Sequence, residues 1–285
     1  MKKLLLITAL FSITLTGCFK KESDVWLRIY GTGSVTVDWG NGSVETKIIS
    51  QDNYIRFIHK YSDAAQRNIT ILGENITTIS CFRSRLTSLD VSGCPALTTL
   101  NCQNSQLVSL NVSGCTALTE LICSSNQLTS LDLSVCHALA RLICDDNQLT
   151  SLDVSGCTAL TYLTCDYNQL MSLDVSGLTE LTWVYCNYNQ LTSLNVSGCA
   201  ALAWIICRNN QLTSLNMSEN SALEYLLCGY NYMTAEALDN LFSTLNNTVG
   251  GKIYIWYNGP DYDSSGTNGC DRSIAESKGW TVVFE

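Results

Sequence analysis

Leucine recurs through the middle of the chain at a fixed spacing. From residue 97 to residue 233 an opening of the form L-x-x-L-x-C-x-x-N-x-L returns seven times with a period of 21, with serine replacing asparagine in the first unit. The copy that begins at Leu160 shows the pattern in full, with Leu163, Cys165 and Asn168 at the expected positions. So short a unit buries no core of its own, whereas stacked units share one apolar interior. The period therefore predicts a solenoid.

Each unit divides into a short strand and a turn-rich return. The alternation Leu-x-Cys places one side of a strand inward, and strands of neighbouring units should pair in parallel about 4.8 Å apart. The asparagine follows the strand, where its amide can satisfy main-chain groups that a turn leaves unpaired. The predicted ladder comprises Asn126, Asn147, Asn168, Asn189, Asn210 and Asn231, with Ser84 and Ser105 as poorer substitutes. The return, rich in Ser, Gly and Asp, predicts extended segments and tight turns.

This repeat resembles that of leucine-rich repeat proteins, in particular the short, Bacteroidota-like bacterial class. The resemblance spans residues 76–233, about eight repeats, and implies a parallel sheet on a concave face with a narrow convex side. The expected fold class is mainly β with few helices. It is a leucine-rich repeat solenoid with a β cap at its N-terminal end and an α/β cap at its C-terminal end.

The first residues indicate a secretory signal. Residues 1–17 combine a basic start with an apolar stretch that is too short to be comfortable as a membrane-spanning helix. The sequence LTGC at 15–18 resembles the lipobox of bacterial lipoproteins, which implies cleavage before Cys18 and lipidation of that residue. We therefore expect an outer-membrane lipoprotein with residues 18–24 as its tether. Orientation toward the periplasm and orientation toward the cell surface both stay open. The alternative is a simple signal peptide with an incidental cysteine.

Residues 25–75 predict a small β unit before the array. Five segments alternate apolar and polar residues and are separated by glycine-rich turns such as GNG at 40–42. VTVDWGNGS at 35–43 and HKYSDA at 59–64 resemble a PKD-type β-sandwich, although Asn41 stands where that family usually has Asp. We expect the unit to cover the open edge of the first repeat, where an unpaired strand would invite aggregation. An independent glycan-binding role is the alternative.

Residues 234–285 predict a cap at the other end. Thr234 is placed to cap a helix whose Leu238 and Phe242 lie on one face. A strand, a short helix and a final strand should follow over 252–257, 271–277 and 280–284. The loop DYDSSG at 261–266 resembles the start of a calcium loop, but Arg272 stands where a bidentate acid is needed. An acidic turn without metal is therefore expected.

Fifteen cysteines in an exported chain normally indicate disulfides. Eight of them occupy a leucine position on the strands: Cys81, Cys102, Cys123, Cys144, Cys165, Cys186, Cys207 and Cys228. A second column on the return comprises Cys94, Cys115, Cys136, Cys157 and Cys199, with Leu178 and Asn220 in two units. These replacements, and a strand spacing slightly long for unstrained bonds, favour buried thiols over disulfides. Because no C-x-x-C pair occurs, no metal site is predicted.

The charge balance excludes some partners and activities. With 16 basic and 25 acidic residues the net charge is −9, and loss of Lys2 and Lys3 with the signal makes it more negative. Such a surface repels nucleic acid. His59 and His137 lie in no motif with an acid and a nucleophile, so neither enzymatic activity nor a cofactor is predicted.

Aromatic residues gather at outward positions of the later repeats, where the earlier repeats have polar ones. They are Tyr162, Trp183, Trp204 and Tyr225 at the third position of the unit, Tyr185 at the fifth, and Tyr167, Tyr188 and Tyr230 at the eighth. Outward Tyr and Trp are typical recognition residues. The alternative is that cross-strand ring contacts only stiffen the sheet. We expect these eight residues to form a ligand-binding surface.

The sequence therefore predicts a monomeric, non-enzymatic binding protein that is anchored to a membrane through Cys18. Protein recognition or adhesion is the first hypothesis, since the repeat resembles that of internalin-type bacterial proteins. Glycan binding is the alternative, because paired tryptophans lie beside Asp145, Asp166 and Asn187. A long linear aromatic groove would favour the glycan, whereas a broad patch with an apolar centre and a charged rim would favour a protein.

Overall fold

The computed structural model describes residues 24–50, 54–61, 68–84, 86–255 and 269–284. The predicted signal peptide, the lipidation site Cys18 and the acidic loop at 261–266 lie outside these residues. The described strands are β1 (Asp24–Gly31), β2 (Gly33–Asp38), β3 (Val44–Ile49), β4 (Tyr54–Lys60), β5 (Asn68–Leu72), β6 (Ile76–Ser80), β7 (Ser88–Gly93), β8 (Thr99–Asn101), β9 (Ser109–Asn111), β10 (Glu120–Ile122), β11 (Arg141–Ile143), β12 (Tyr162–Thr164), β13 (Ser172–Asp174), β14 (Trp183–Tyr185), β15 (Ser193–Asn195), β16 (Trp204–Ile206), β17 (Tyr225–Leu227), β18 (Gly251–Tyr254) and β19 (Trp280–Val283). The described helices are α1 (Ala235–Thr244) and α2 (Ser273–Glu276).

One strand from each repeat joins a single long sheet. Its twelve strands lie in the order β19-β18-β17-β16-β14-β12-β11-β10-β8-β6-β1-β4. All pairings from β6 to β19 are parallel, and equivalent residues face each other, so that Leu142 lies between Leu121 and Leu163. The predicted parallel solenoid is therefore confirmed.

The return halves of the repeats consist of turns and short strands. β7 and β9 belong to a five-stranded sheet in the order β3-β2-β5-β7-β9, and β13 pairs with β15. In a typical return, Cys115 N donates to Val112 O at 2.9 Å and Leu118 N donates to Cys115 O at 3.1 Å. The predicted extended segments and tight turns are confirmed.

The predicted asparagine ladder is also confirmed. In the copy at Asn168, the Nδ2 atom donates to the carbonyl oxygens of Cys144, Cys165 and Asp166 at 3.1 to 3.2 Å. Its Oδ1 atom accepts from the backbone N–H of Leu149 at 3.0 Å. Each asparagine thus joins its own turn to the preceding repeat. Because these groups are buried, the ladder satisfies main-chain atoms that water cannot reach.

The N-terminal unit continues both sheets of the solenoid. β1 pairs with β6 in antiparallel fashion, and β5 pairs with β7 in parallel. Leu27 and Phe57 from the long sheet and Val37 and Ile71 from the five-stranded sheet are fully buried in the same core. The first repeat strand, β6, is therefore paired on its N-terminal side. The capping role of this unit and its PKD-type resemblance remain predictions.

At the C-terminal end, the residues after the repeats extend the long sheet through β18 and β19. Thr234 is the N-cap of α1, as predicted, and its Oγ1 atom accepts from Ala237 N at 3.2 Å. Leu238 and Phe242 pack into the core. Neither described helix is long and apolar enough to cross a membrane.

The cysteines of the described residues are free thiols, and all except Cys270 are buried. In the second column, Cys115 Sγ donates to Val91 O at 3.2 Å and Cys199 Sγ donates to Val175 O at 3.0 Å, each in the preceding repeat. Asn220, which replaces cysteine in the last unit, donates from Nδ2 to Val196 O at 2.9 Å. This shared hydrogen bond explains why asparagine is accepted at a cysteine position. Burial raises the pKa of Cys94 to about 12. The redox state of the columns in solution stays a prediction.

Candidate functional site

The outer side of the long sheet carries the eight predicted ligand-binding residues, hereafter the aromatic face. Leu163 and Cys165 point into the core. Because side chains alternate along a strand, Tyr162 before Leu163 and Thr164 after it point outward. The register pairs Tyr162 with Trp183, Trp183 with Trp204, and Trp204 with Tyr225. The third positions of four consecutive repeats therefore place a row of rings on neighbouring strands.

Ring contacts within this row are close. The centroids of Tyr162 and Trp183 lie 6.0 Å apart with tilted planes, and those of Trp204 and Tyr225 are stacked at 4.5 Å. Tyr185, at the fifth position, meets Tyr162 edge to face at 5.9 Å. Offset and edge contacts of this kind are the favourable geometries for aromatic pairs.

The eighth position forms a second row with an unusual backbone. Tyr167, Tyr188 and Tyr230 have φ angles of 53°, 52° and 56°, in the left-handed region. The rings of Tyr167 and Tyr188 stack at 4.4 Å with planes only 8° apart. Left-handed backbone costs a non-glycine residue roughly 1–2 kcal/mol, and asparagine or aspartate tolerates it best. The sequence contained a signal for this conformation, because Asn104, Asp146 and Asn209 occupy the same position in other repeats.

The structure brings seven of the eight residues into two adjoining rows on consecutive repeats. Asn209 takes the eighth position of the repeat between those of Tyr188 and Tyr230, so the second row is interrupted there. Tyr167 is 55% exposed and Trp183 37% exposed, while Tyr162, Tyr185, Trp204 and Tyr225 are half-buried. None of the eight turns into the core, so they present a shared outer surface.

Sequence reasoning missed one further ring beside the aromatic face. Tyr254 on β18 lies 5.1 Å from the ring of Tyr225 and extends the surface by one strand. The alternation GKIYI at 251–255 was the available signal, since it places Lys252 and Tyr254 outward as the repeats do.

A polar column runs between the two rows of rings. The carboxylate of Asp145 accepts from the Thr164 hydroxyl at 2.5 Å and from Asp166 N at 2.9 Å. The carboxylate of Asp166 accepts in turn from Asn187, through the backbone N–H at 2.6 Å and Nδ2 at 3.1 Å. Asn187 Oδ1 accepts from Arg208 N at 3.0 Å. The column is thus tied together from repeat to repeat.

Burial and repulsion by neighbouring charges raise the pKa of these carboxylates. Burial, together with the charge of Asp145, raises the pKa of Asp166 to about 6. Burial likewise raises the pKa of Asp145, although the hydrogen bonds from Thr164 and Asp166 oppose the shift. Burial also raises the pKa of the Tyr162 and Tyr225 hydroxyls. Around neutral pH the tyrosines are therefore neutral hydrogen-bonding groups.

Two arginines complete the surface. The Arg208 guanidinium lies 5.5 Å from the Tyr188 ring, and its buried Nε atom has no hydrogen-bond partner. Arg141 lies 5.1 Å from the Tyr162 ring and forms an ion pair with Glu120 at 3.0 Å. The face therefore offers flat apolar rings, hydroxyl groups, and one guanidinium with an unused donor.

Within the described part of the chain, no group of three or more His, Cys, Asp or Glu side chains is placed to hold a metal ion. The two histidines have structural contacts. His59 stacks on Trp39 at 4.8 Å and bonds to Asn41, and His137 Nδ1 lies 2.9 Å from Gly156 O.

Stacked 21-residue coils, a parallel sheet with one strand per repeat and an asparagine ladder define a leucine-rich repeat solenoid. Solved structures of the same fold are similar to this chain. A chain of the Drosophila Toll–Spatzle complex is 18% identical, with 74% of this chain and 35% of that chain covered and a TM-score of 0.53.

Two bacterial structures are also similar. The functional domain of InlJ from Listeria monocytogenes, which includes a cysteine ladder, is 25% identical over 64% of this chain, with a TM-score of 0.30. The leucine-rich effector YopM from Yersinia pestis is 21% identical over 65% of this chain and 57% of its own, with a TM-score of 0.46. This chain spans 60% of the InlJ chain. No protein-family model matches the chain, and no curated protein sequence does.

Proposed function

We propose that this chain is a non-enzymatic binding protein that captures a protein ligand on the aromatic face. The row of outward rings on four consecutive repeats is the observation that carries the proposal. Packing of the solenoid does not require it, because the same positions hold Thr78, Thr99 and Glu120 in the earlier repeats. Exposed Tyr and Trp of this kind are enriched where proteins bind one another.

The breadth of the surface favours a protein over a glycan. Two rows of rings with a polar column between them make a patch several side chains wide rather than a single groove. Its edges are charged, with Arg141 on one side and Lys252 on the other. Protein interfaces commonly combine such a centre and rim. Recognition of a protein, as in adhesion, is accordingly the function proposed first.

Glycan binding is the second candidate. Stacked rings beside carboxylates suit sugar rings, and Trp183 is exposed next to the polar column. However, the carboxylates of Asp145 and Asp166 already accept hydrogen bonds from Thr164, Asn187 and backbone N–H groups. Fewer of their lone pairs are therefore free for sugar hydroxyls than the sequence alone indicates.

We propose further that the protein acts at a membrane surface. The LTGC sequence at 15–18 supports lipidation of Cys18, and residues 18–24 would then tether the solenoid to an outer membrane. Metabolic labelling with an alkyne-bearing fatty acid should label the wild-type protein and leave Cys18→Ser unlabelled. Equal labelling of the two proteins, or none in the wild type, would exclude the anchor.

The ligand proposal is tested by removing the two tryptophans of the aromatic face. The double variant Trp183→Ala/Trp204→Ala should lose capture of its ligand from host or bacterial surface extracts, and lose any signal on a glycan array. The matched control is Thr78→Ala/Thr99→Ala, which truncates the same position at the other end of the sheet. Circular dichroism should show both variants folded. Undiminished capture by the tryptophan variant would rule out the aromatic face as the binding site.

A further inference from the structure

A second outward surface lies at the opposite end of the long sheet, on β1 and β4. These antiparallel strands pair Trp26 with Ile58 and Arg28 with Arg56. The intervening Leu27 and Phe57 are buried, so the four paired side chains share the outer face. Directly opposed residues of such a pair have Cβ atoms about 4.5–5.5 Å apart. Together the four line an open pocket of about 330 Å³.

The two arginines face each other without a counter-charge in the described part of the chain. The three ion pairs described there involve Lys47, Arg141 and Arg272, and neither Arg28 nor Arg56. The Nε atom of Arg28 is buried with no hydrogen-bond partner. Like charges directly opposed across strands are destabilising, and an unused buried donor adds to that cost. This is notable in a chain with 25 acidic residues against 16 basic ones.

Flat and apolar side chains flank the guanidinium groups. Arg28 lies over the ring of Tyr54 at 4.6 Å, and Trp26 meets Phe82 edge to face at 6.1 Å. Ile58, in the wall of the pocket, is 52% exposed. A guanidinium presents a planar fork of donors that matches a carboxylate or a phosphate, and its neighbours here offer surface to a flat apolar group.

We propose that this arginine pocket is a second ligand site, which binds an oxyanion carried on a flat apolar group. Aryl carboxylates and aryl phosphates share that chemistry. The anion would neutralise the opposed pair and accept from the terminal N–H groups of the two guanidinium forks, while the ring would pack against Trp26 and Ile58. The attraction is local, because the net charge of −9 repels anions from the rest of the surface. The site lies at the opposite end of the sheet from the aromatic face and does not depend on the function proposed for it.

The test is calorimetric titration of the full chain with benzoate, phenyl phosphate and inorganic phosphate. At least one aryl anion should bind saturably at one site, at least about tenfold more tightly than inorganic phosphate, since the ring adds apolar contact. The preferred aryl anion distinguishes a carboxylate ligand from a phosphate ligand. Saturable binding by neither aryl anion, or binding of inorganic phosphate as tight as theirs, would overturn the proposal.

Two variants and a matched control locate the site. Arg56→Gln, at an exposed position, should weaken binding at least about tenfold and raise the unfolding temperature of the ligand-free protein, because the repulsion is removed. Arg28→Gln should weaken binding equally. Arg272→Gln removes the same charge from α2, where Arg272 is paired with Glu276, and should leave binding unchanged. Equal weakening by Arg272→Gln and Arg56→Gln, or wild-type binding by Arg56→Gln, would contradict the assignment.

Discussion

At the residue scale, the eighth position of the repeat indicates that the stability of the fold alone does not explain the tyrosines found there. Tyr167 and Tyr188 adopt left-handed backbone, which costs each roughly 1–2 kcal/mol. Their stacking at 4.4 Å offsets only about 0.5–1.5 kcal/mol. Asparagine, used at this position in other repeats, avoids most of that cost. Stability by itself therefore does not favour tyrosine there.

Tyr167→Asn should separate stability from recognition. Relief of backbone strain and loss of the stack nearly cancel, so the free energy of unfolding should change by less than about 1 kcal/mol. Capture of the ligand should weaken, because the most exposed ring of the face is gone. Urea denaturation and capture from surface extracts measure the two effects. Ser125→Asn, at the same position in an earlier repeat, is the control and should leave capture unchanged. A clear loss of stability with full capture would mean that the rings serve the sheet.

The buried asparagine ladder predicts a much larger effect from a small change. Asn168→Ala leaves the buried Leu149 N–H without a partner, at a cost of about 1–3 kcal/mol, and removes one hydrogen bond each, worth about 0.5–1.5 kcal/mol, from the carbonyl oxygens of Cys144, Cys165 and Asp166. We expect the free energy of unfolding to fall by about 3 kcal/mol or more in chemical denaturation. The neighbouring exposed Gln169→Ala should change it by no more than about 0.5 kcal/mol. Similar values for the two variants would show that the ladder contributes little.

At the scale of the elements, the repeat predicted most of the fold because its pattern acts within each short segment. The alternation of leucine and cysteine determines which side of a strand is buried, whichever strands pair with it. The segments before the array were also predicted as strands, and β1 to β5 match them closely. Their partners were not predicted: β1 pairs with β6 nearly fifty residues away, and no local pattern encodes such a pairing. The left-handed eighth position was missed although Asn104 and Asn209 signal it. The hydrogen bonds that join Asp145, Asp166 and Asn187 were missed because they form between repeats.

The redox state of the cysteines in the two columns can be tested by their reaction with a thiol reagent. Burial raises the pKa of Cys94 and Cys115 to about 12, so almost none of either thiol is ionised at pH 8, and thiolate is the reactive form. A thiol-specific reagent should therefore react slowly with the native protein. After denaturation without reductant, the fourteen cysteines of the described residues should all react. A titre several thiols lower would show that disulfides form in the columns.

At the scale of the whole molecule, one long sheet carries two chemically different ends. The outer face of the later repeats is aromatic, whereas the N-terminal strands present the opposed arginines Arg28 and Arg56. The buried residues are nearly the same in every repeat, so the core places no requirement on which side chains the outer face carries. Repeats of this kind let the buried positions stay constant while the outer ones vary.

The central claim is that the aromatic face is where the ligand sits, and site-specific photo-crosslinking tests it most directly. A benzophenone amino acid replaces Tyr185, within the face, or Asn101, the same position four repeats earlier. Each protein is irradiated with its captured ligand, and crosslinked products are identified by mass spectrometry. We predict abundant ligand crosslinks from position 185 and few from position 101. Equal yields, or crosslinks from position 101 alone, would contradict the account.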